Sequence, residues 1–149
     1  MAWVFTPYKG LSDIRFRQDR EEVERVLGEP QKVKRTYTGK TRLEYSMSMP
    51  AFVFADGELI EMNLLPDVSE PFEYRGMDLF AMPEDEVLRQ LEQDDLNVRE
   101  SNGFIIFFGL GLALTGFHDE MPEQKAITLF GHNHPWIEKR PTMQASSFL

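Results

Sequence analysis

The residues best suited to chemistry in this chain are its three histidines. His132 and His134 flank Asn133, and His118 stands earlier, followed by Asp119 and Glu120. If residues 132–134 are extended, both rings point to the same side of the strand, a spacing that can chelate a metal. A third ligand from His118, Asp119 or Glu120 is at hand if the strands before and after that loop pair as a hairpin. Against this, Gly131 and Pro135 bracket the pair, and turn residues usually face solvent. A His-x-His is also far less specific than true zinc spacings. The reading is therefore no metal and no cofactor, with His118, His132 and His134 as the residues that would overturn it.

Other chemistry fares no better. No serine stands in a Gly-x-Ser-x-Gly elbow. Gly109-Leu110-Gly111 begins like a phosphate-binding loop, but it lies between apolar strand residues with no helix after it, so a tight bend or bulge is expected. Glu84-Asp85-Glu86, Glu92, Asp94 and Asp95 could supply acid/base pairs. Placed around a short helix, they read instead as a solvated surface with acids near the positive end of the helix dipole. The chain is expected not to be an enzyme.

Two helices and a series of strands must position these residues. Asp19-Arg20-Glu21-Glu22 has the form of a capping box. Val23, Val26 and Leu27 then fall on one face, and Gly28 and Pro30 end the helix. The second helix opens at Met82-Pro83-Glu84, with proline at the first helical position and Val87, Leu88 and Leu91 as its stripe. Strands are expected over 32–37, 42–47, 51–55 and 59–64, with turns at Thr38-Gly39-Lys40 and Asp56-Gly57. The same succession recurs over 96–100, 104–108, 110–117 and 125–130.

Lining up the halves suggests a repeat. Glu22-Val23 and Leu27 match Glu86-Val87 and Leu91 at a shift of 64 residues, which also carries Gly39 onto Gly103. Gly10-Leu11-Ser12-Asp13-Ile14 resembles Gly76-Met77-Asp78-Leu79-Phe80 at a shift of 66, and the loop His118 to Gln124 is longer in the second half. The expected fold is α+β: two diverged helix-plus-antiparallel-strand repeats forming one antiparallel sheet, or two abutting sheets, with short helices on one face. Residues 1–149 are read as a single domain, with repeats at about 10–65 and 76–131, a connector over 66–71 and a C-terminal tail over 135–149 without periodicity, partly disordered at its end.

Composition sets the remaining bounds. With 149 residues, 42% hydrophobic and 28% charged, the chain can bury one core. It has no cysteine, which suits a reducing cytoplasm and excludes disulfides and thiolate zinc sites. The N-terminus Met1-Ala2-Trp3-Val4-Phe5 lacks a signal-peptide pattern, and the longest apolar run, Phe104 to Leu114, is interrupted by Gly109 and Gly111 and too short for a bilayer. A cytoplasmic location without membrane contact is expected. Formal net charge is −9 and the pI about 4.8, which disfavours nucleic acid and would attract a basic protein partner.

The stretch Asp13-Ile14-Arg15-Phe16-Arg17 through Val23, Val26-Leu27-Gly28-Glu29-Pro30 and on to Leu43-Glu44-Tyr45 resembles the small repeat of the outer-membrane assembly lipoprotein BamE (SmpA/OmlA). That repeat has a short helix ending in a Leu-Gly-x-Pro turn, then antiparallel strands. Its duplication is similar to the β-lactamase inhibitor protein architecture, a tandem repeat whose sheet binds an enzyme. The resemblance implies a fold and a tendency to bind protein. It does not carry over a membrane or secreted role, because there is no cysteine for lipid or disulfide.

Aromatic residues on the predicted strands complete the picture. Short helices cover one face of a broad sheet, so alternation must send some rings to the other face. Tyr37, Tyr45, Phe52, Phe54, Phe104 and Phe107 are the candidates for an exposed interface, since rings bury much area at little entropy cost. The function expected is a non-catalytic intracellular protein-binding module, of the immunity type that inhibits a partner enzyme or toxin. The alternatives are an enzyme built on the histidines and an assembly scaffold, with self-association through sheet edges open.

Overall fold

The acid at position 19 caps a helix as its spacing predicts. Its carboxylate accepts the backbone N–H of Glu22 at 2.8 Å, and the Glu22 carboxylate accepts that of Asp19 at 3.2 Å. The chain folds before this cap into β1 (Trp3–Thr6), β2 (Gly10–Leu11) and β3 (Ile14–Arg15), and after it into α1 (Arg20–Leu27). Helix α1 stops at Gly28, whose φ of +86° is unfavourable for any residue with a Cβ. Four strands follow: β4 (Lys32–Arg35), β5 (Thr41–Glu44), β6 (Ala51–Ala55) and β7 (Glu58–Leu64). Then come β8 (Phe72–Tyr74), β9 (Met77–Asp78) and α2 (Glu84–Asp94). Pro83 is the residue before α2 rather than its first turn, one position from the expectation. A second set of strands is β10 (Val98–Ser101), β11 (Phe104–Phe107), β12 (Leu112–Thr115) and β13 (Ala126–Phe130), and the chain closes with α3 (Trp136–Lys139) and β14 (Gln144–Ala145). This computed structural model describes residues 2–119 and 122–148.

The fold is α+β with mostly antiparallel pairing, in two sheets. The large one has nine strands in the order β14, β10, β11, β12, β13, β7, β6, β5, β4. The last strands of the two four-strand runs meet at its centre, where Leu64 faces Ile127 and Met62 faces Leu129. The small one, in the order β3, β2, β1, β8, β9, contains one parallel pair, β1 with β8. Strands of two to four residues show no alternation long enough to read, which is why the small sheet was not expected.

A single apolar row crosses the large sheet. Leu43, Phe52, Met62, Leu129, Leu112, Phe107 and Val98 stand opposite one another from β5 to β10, all buried. Val23 of α1, Val87, Leu88 and Leu91 of α2 and Phe5, Leu11, Ile14, Phe72 and Tyr74 of the small sheet pack on this side. We call it the front. Both long helices lie on it, and among the described residues no helix is long and apolar enough to cross a membrane.

The back of the sheet is divided. Behind β11–β13, Ile106, Phe108, Ala113 and Phe130 form a second buried cluster with Met143, Tyr8, Phe104, Trp136 and Ile137. The segment over 135–145, which shows no period in the sequence, is therefore ordered: it supplies α3, a 3₁₀ turn over Arg140–Thr142 and the edge strand β14. Behind β4–β7 the same positions hold Lys34, Arg42, Glu44, Ala51, Val53, Glu61 and Asn63, and no apolar cluster covers them among the described residues.

Candidate functional site

The structure separates the histidines. The His134 N–H donates to the Gly131 carbonyl at 3.1 Å, so residues 131–134 form a turn and not the extended strand that chelation needs. His132 is exposed and stacks on Tyr8 at 3.8 Å between centroids. His134 is buried behind the sheet, 2.7 Å from Glu61 through Nε2, while its Nδ1 accepts the Trp136 backbone N–H at 3.1 Å. That acceptor role leaves Nδ1 without a proton, so Nε2–H donates to the Glu61 carboxylate and neither nitrogen is free for a metal. His118 lies toward the front, beside Phe117 and Leu88, 3.9 Å from Glu100, with its Nδ1 unpartnered among the described residues. Asp119 is exposed, and Glu120 lies outside the described residues. Among the described residues no three His, Cys, Asp or Glu side chains converge to hold a metal.

The glycine loop has a resident anion of its own. Gly109 and Leu110 turn the chain from β11 to β12, which shortens the strand expected over 110–117. The buried Asp95 carboxylate accepts the N–H groups of Gly109 and Asn97, each at 2.7 Å. A Cβ at Gly109 would lie 2.7 Å from that carboxylate, so the glycine admits Asp95 and no phosphate seat remains. Burial, and then the nearby Asp95 charge, push the Tyr8 hydroxyl up to about 12, and it donates to the Phe108 carbonyl.

The remaining carboxylates are engaged in holding the fold. Glu84 is held below the usual range by the backbone N–H at the helix start and by Lys125, 3.3 Å away. Asp85 pairs with Arg89 and Asp94 with Arg75, each at 3.2 Å. Glu92 is buried and accepts the Ser147 hydroxyl at 2.6 Å and the Phe148 backbone N–H, which ties the C-terminal segment to α2.

Most of the aromatic candidates are core. Tyr45, Phe52, Phe54 and Phe107 are buried on the front, under the helices and the small sheet, and offer no surface. Their alternation points them at the helices, so the expectation of an exposed set fails for these four. Phe104 is half-buried on the back, 5.1 Å from Trp136. Tyr37 alone is free, with a relative exposure of 102% at the tip of the β4–β5 hairpin.

What remains open is the back of β4–β7. A groove of about 430 Å³ runs there, lined by Lys32, Arg42, Glu44, Met47, Asn63 and Leu65, with Ala51 in its floor. Met47 is 72% and Leu65 44% exposed, so the groove has apolar lips around a polar centre. Its charges are already arranged. Arg42 lies 2.9 Å and Lys34 3.3 Å from the Glu44 carboxylate, and the Arg42 hydrogen bond leads in holding Glu44 below the carboxylate range. At the border with the covered half, Thr128 donates to Asn63 at 3.1 Å and Asn63 to Glu61 at 3.0 Å. Burial raises Glu61, but the hydrogen bonds from His134 and Asn63 more than offset it, and Glu61 ends below its ordinary value.

Lys34, Arg42, Glu44, Glu61 and Asn63 were not singled out from the sequence. The available signal was the density of cations over residues 32–42 in an acidic chain. No protein-family model, curated protein sequence or solved structure matches the chain.

Proposed function

We propose that this chain is a non-catalytic protein-binding module, an immunity-type inhibitor that masks a partner enzyme or toxin in the cytoplasm. The bare back of β4–β7 is its binding face. One observation carries this reading. Among the described residues no apolar cluster covers this half of the back, and it keeps a groove with exposed Met47 and Leu65 at its edges and fixed charges at its centre. Apolar contacts supply buried area and placed charges supply orientation, and a specific protein interface combines the two.

The reading includes duplication. The two runs α1-β4-β5-β6-β7 and α2-β10-β11-β12-β13 have the same element order, and their last strands pair at the centre of the sheet. On this view the copies have diverged in what lies behind them: the second is sealed by residues 135–145, and the first is left for a partner.

The test is a binding measurement on the face. The full chain is used as bait in an extract of its native host, and the recovered partner is titrated against Asn63→Arg and Leu65→Asp variants. Each should weaken binding at least about ten-fold, as substitution inside an interface does. Parent-like affinity of both, or turnover of a small substrate by the purified chain, would refute the proposal.

A further inference from the structure

The β4–β5 hairpin is the most outlying part of the large sheet. Residues 31–39 are all exposed, and within its two strands only Leu43 is buried. It carries Lys32, Lys34, Arg35, Lys40 and Arg42 against one carboxylate, Glu44, in a chain whose formal net charge is −9. Glu44 is shared by Lys34 and Arg42, whereas Lys32, Arg35 and Lys40 have no ion-pair partner among the described residues. Lys32, Lys34 and Arg42 stand on the back, whereas Arg35 stands on the front and borders a recess with Asp19, Glu21 and Asp56, so the local positive field lies on the back.

Charge on an edge strand also blocks pairing with a second sheet, and that role alone would explain lysines on β4. It does not explain the tip. The Thr36 N–H donates to the Lys40 carbonyl at 2.9 Å and the Gly39 N–H to the Thr36 carbonyl at 3.0 Å. The Thr36 hydroxyl accepts the Lys40 N–H at 3.1 Å and lies 2.8 Å from that of Thr38. Gly39, at φ +84°, closes the turn. All this order surrounds Tyr37, the one wholly exposed ring of the set considered above. A fixed turn presenting a bare aromatic side chain has its entropy cost of binding largely met beforehand.

We propose that the β4–β5 hairpin, led by Tyr37, docks on an acidic surface of a protein partner. This rests on the binding reading above and specifies its chemistry: carboxylates spaced to meet Lys32 and Lys34 on the back of the hairpin, beside an apolar recess for the Tyr37 ring. Net charge alone predicts a basic partner. At the contact the local charge governs, because fields beyond about 8 Å are screened at physiological ionic strength. A nucleic acid is also a polyanion, but a phosphate strand leaving the hairpin along the groove would run against the Glu44 carboxylate.

The test uses the full chain with benzoylphenylalanine in place of Tyr37, and separately in place of Leu65, irradiated in an extract of the native host. Cross-linked peptides are then sequenced. Support is a cross-link from position 37 to a protein segment in which Asp and Glu outnumber Lys and Arg. Its yield must also fall at least about ten-fold, the scale of a lost interfacial anchor, in the Lys32→Glu, Lys34→Glu double variant with unchanged thermal melting. Both substituted residues are exposed, so the fold is retained. A cross-link from position 37 to a basic segment, to nucleic acid or to a second copy of the chain overturns the inference, as does a yield indifferent to charge reversal. Cross-linking from position 65 with none from position 37 removes the hairpin's role and leaves the binding face standing. Silence at both positions removes the binding face and the hairpin's role together.

Discussion

The two halves of the back of the large sheet use the same geometry in opposite ways. Behind β11–β13 the outward positions hold Ile106, Phe108, Ala113 and Phe130, and a segment from later in the chain folds down to cover them. Behind β4–β7 the corresponding positions hold Arg42, Glu44, Glu61 and Asn63, and nothing apolar covers them among the described residues. Strand alternation supplies outward positions to both halves. Residue type then decides which half must be sealed and which can stay open for a second molecule.

The comparison can be broken most directly at Phe130. Its ring lies 5.9 Å from Tyr8, 5.8 Å from Phe108 and 5.3 Å from Trp136, so it joins the sheet to everything that covers it. Phe130→Ala should cost about 3–5 kcal/mol in urea unfolding, the range for a fully buried ring. Amide exchange over residues 136–145 should speed up with it. A loss below about 1 kcal/mol, far under what cavity formation predicts, would mean the covered half is not sealed by packing.

A smaller effect is expected where the halves meet. His134→Ala leaves Glu61 and the Trp136 N–H without their partner, and should cost about 2–4 kcal/mol, as breaking a mostly buried polar pair does. The pH dependence follows from Glu61. Its carboxyl is held below the ordinary value, so its stabilising contribution is present above the usual carboxylate range, near about 4.3, and is lost as the pH falls through the lowered value. The gap between parent and variant should therefore be steady from neutral pH to about 5 and narrow in acid, since protonation of this carboxyl removes the same interaction. A gap that widened on acidification would contradict the pairing. The smallest effect belongs to the open half. Lys34→Gln combined with Arg42→Gln should change thermal stability by no more than about 1 kcal/mol, because Lys34 is exposed, Arg42 is only half-buried and both belong to a surface ion pair.

Local features were the legible part of this fold. The cap at Asp19 and the turn at Asp56-Gly57 each depend on neighbours within a few residues, and each could be read. The small sheet could not, because β2, β3 and β9 are two residues long and their pairing is set from a distance. The histidine pair misled for a related reason. Whether His132 and His134 share a side depends on the turn at Gly131, and that turn is fixed by Glu61 and Trp136 reaching the second ring. The split of the back face was hidden in the same way, since it depends on where residues 135–145 land.

That late-folding cover has a consequence for biosynthesis. On a ribosome β11–β13 emerge before Trp136, Ile137 and Met143, so Ile106, Phe108 and Phe130 lack that cover until residues 136–143 follow. A product cut short after Phe130 would keep both front layers and still present a greasy back. Such a fragment should be drawn to chaperones or to its own kind.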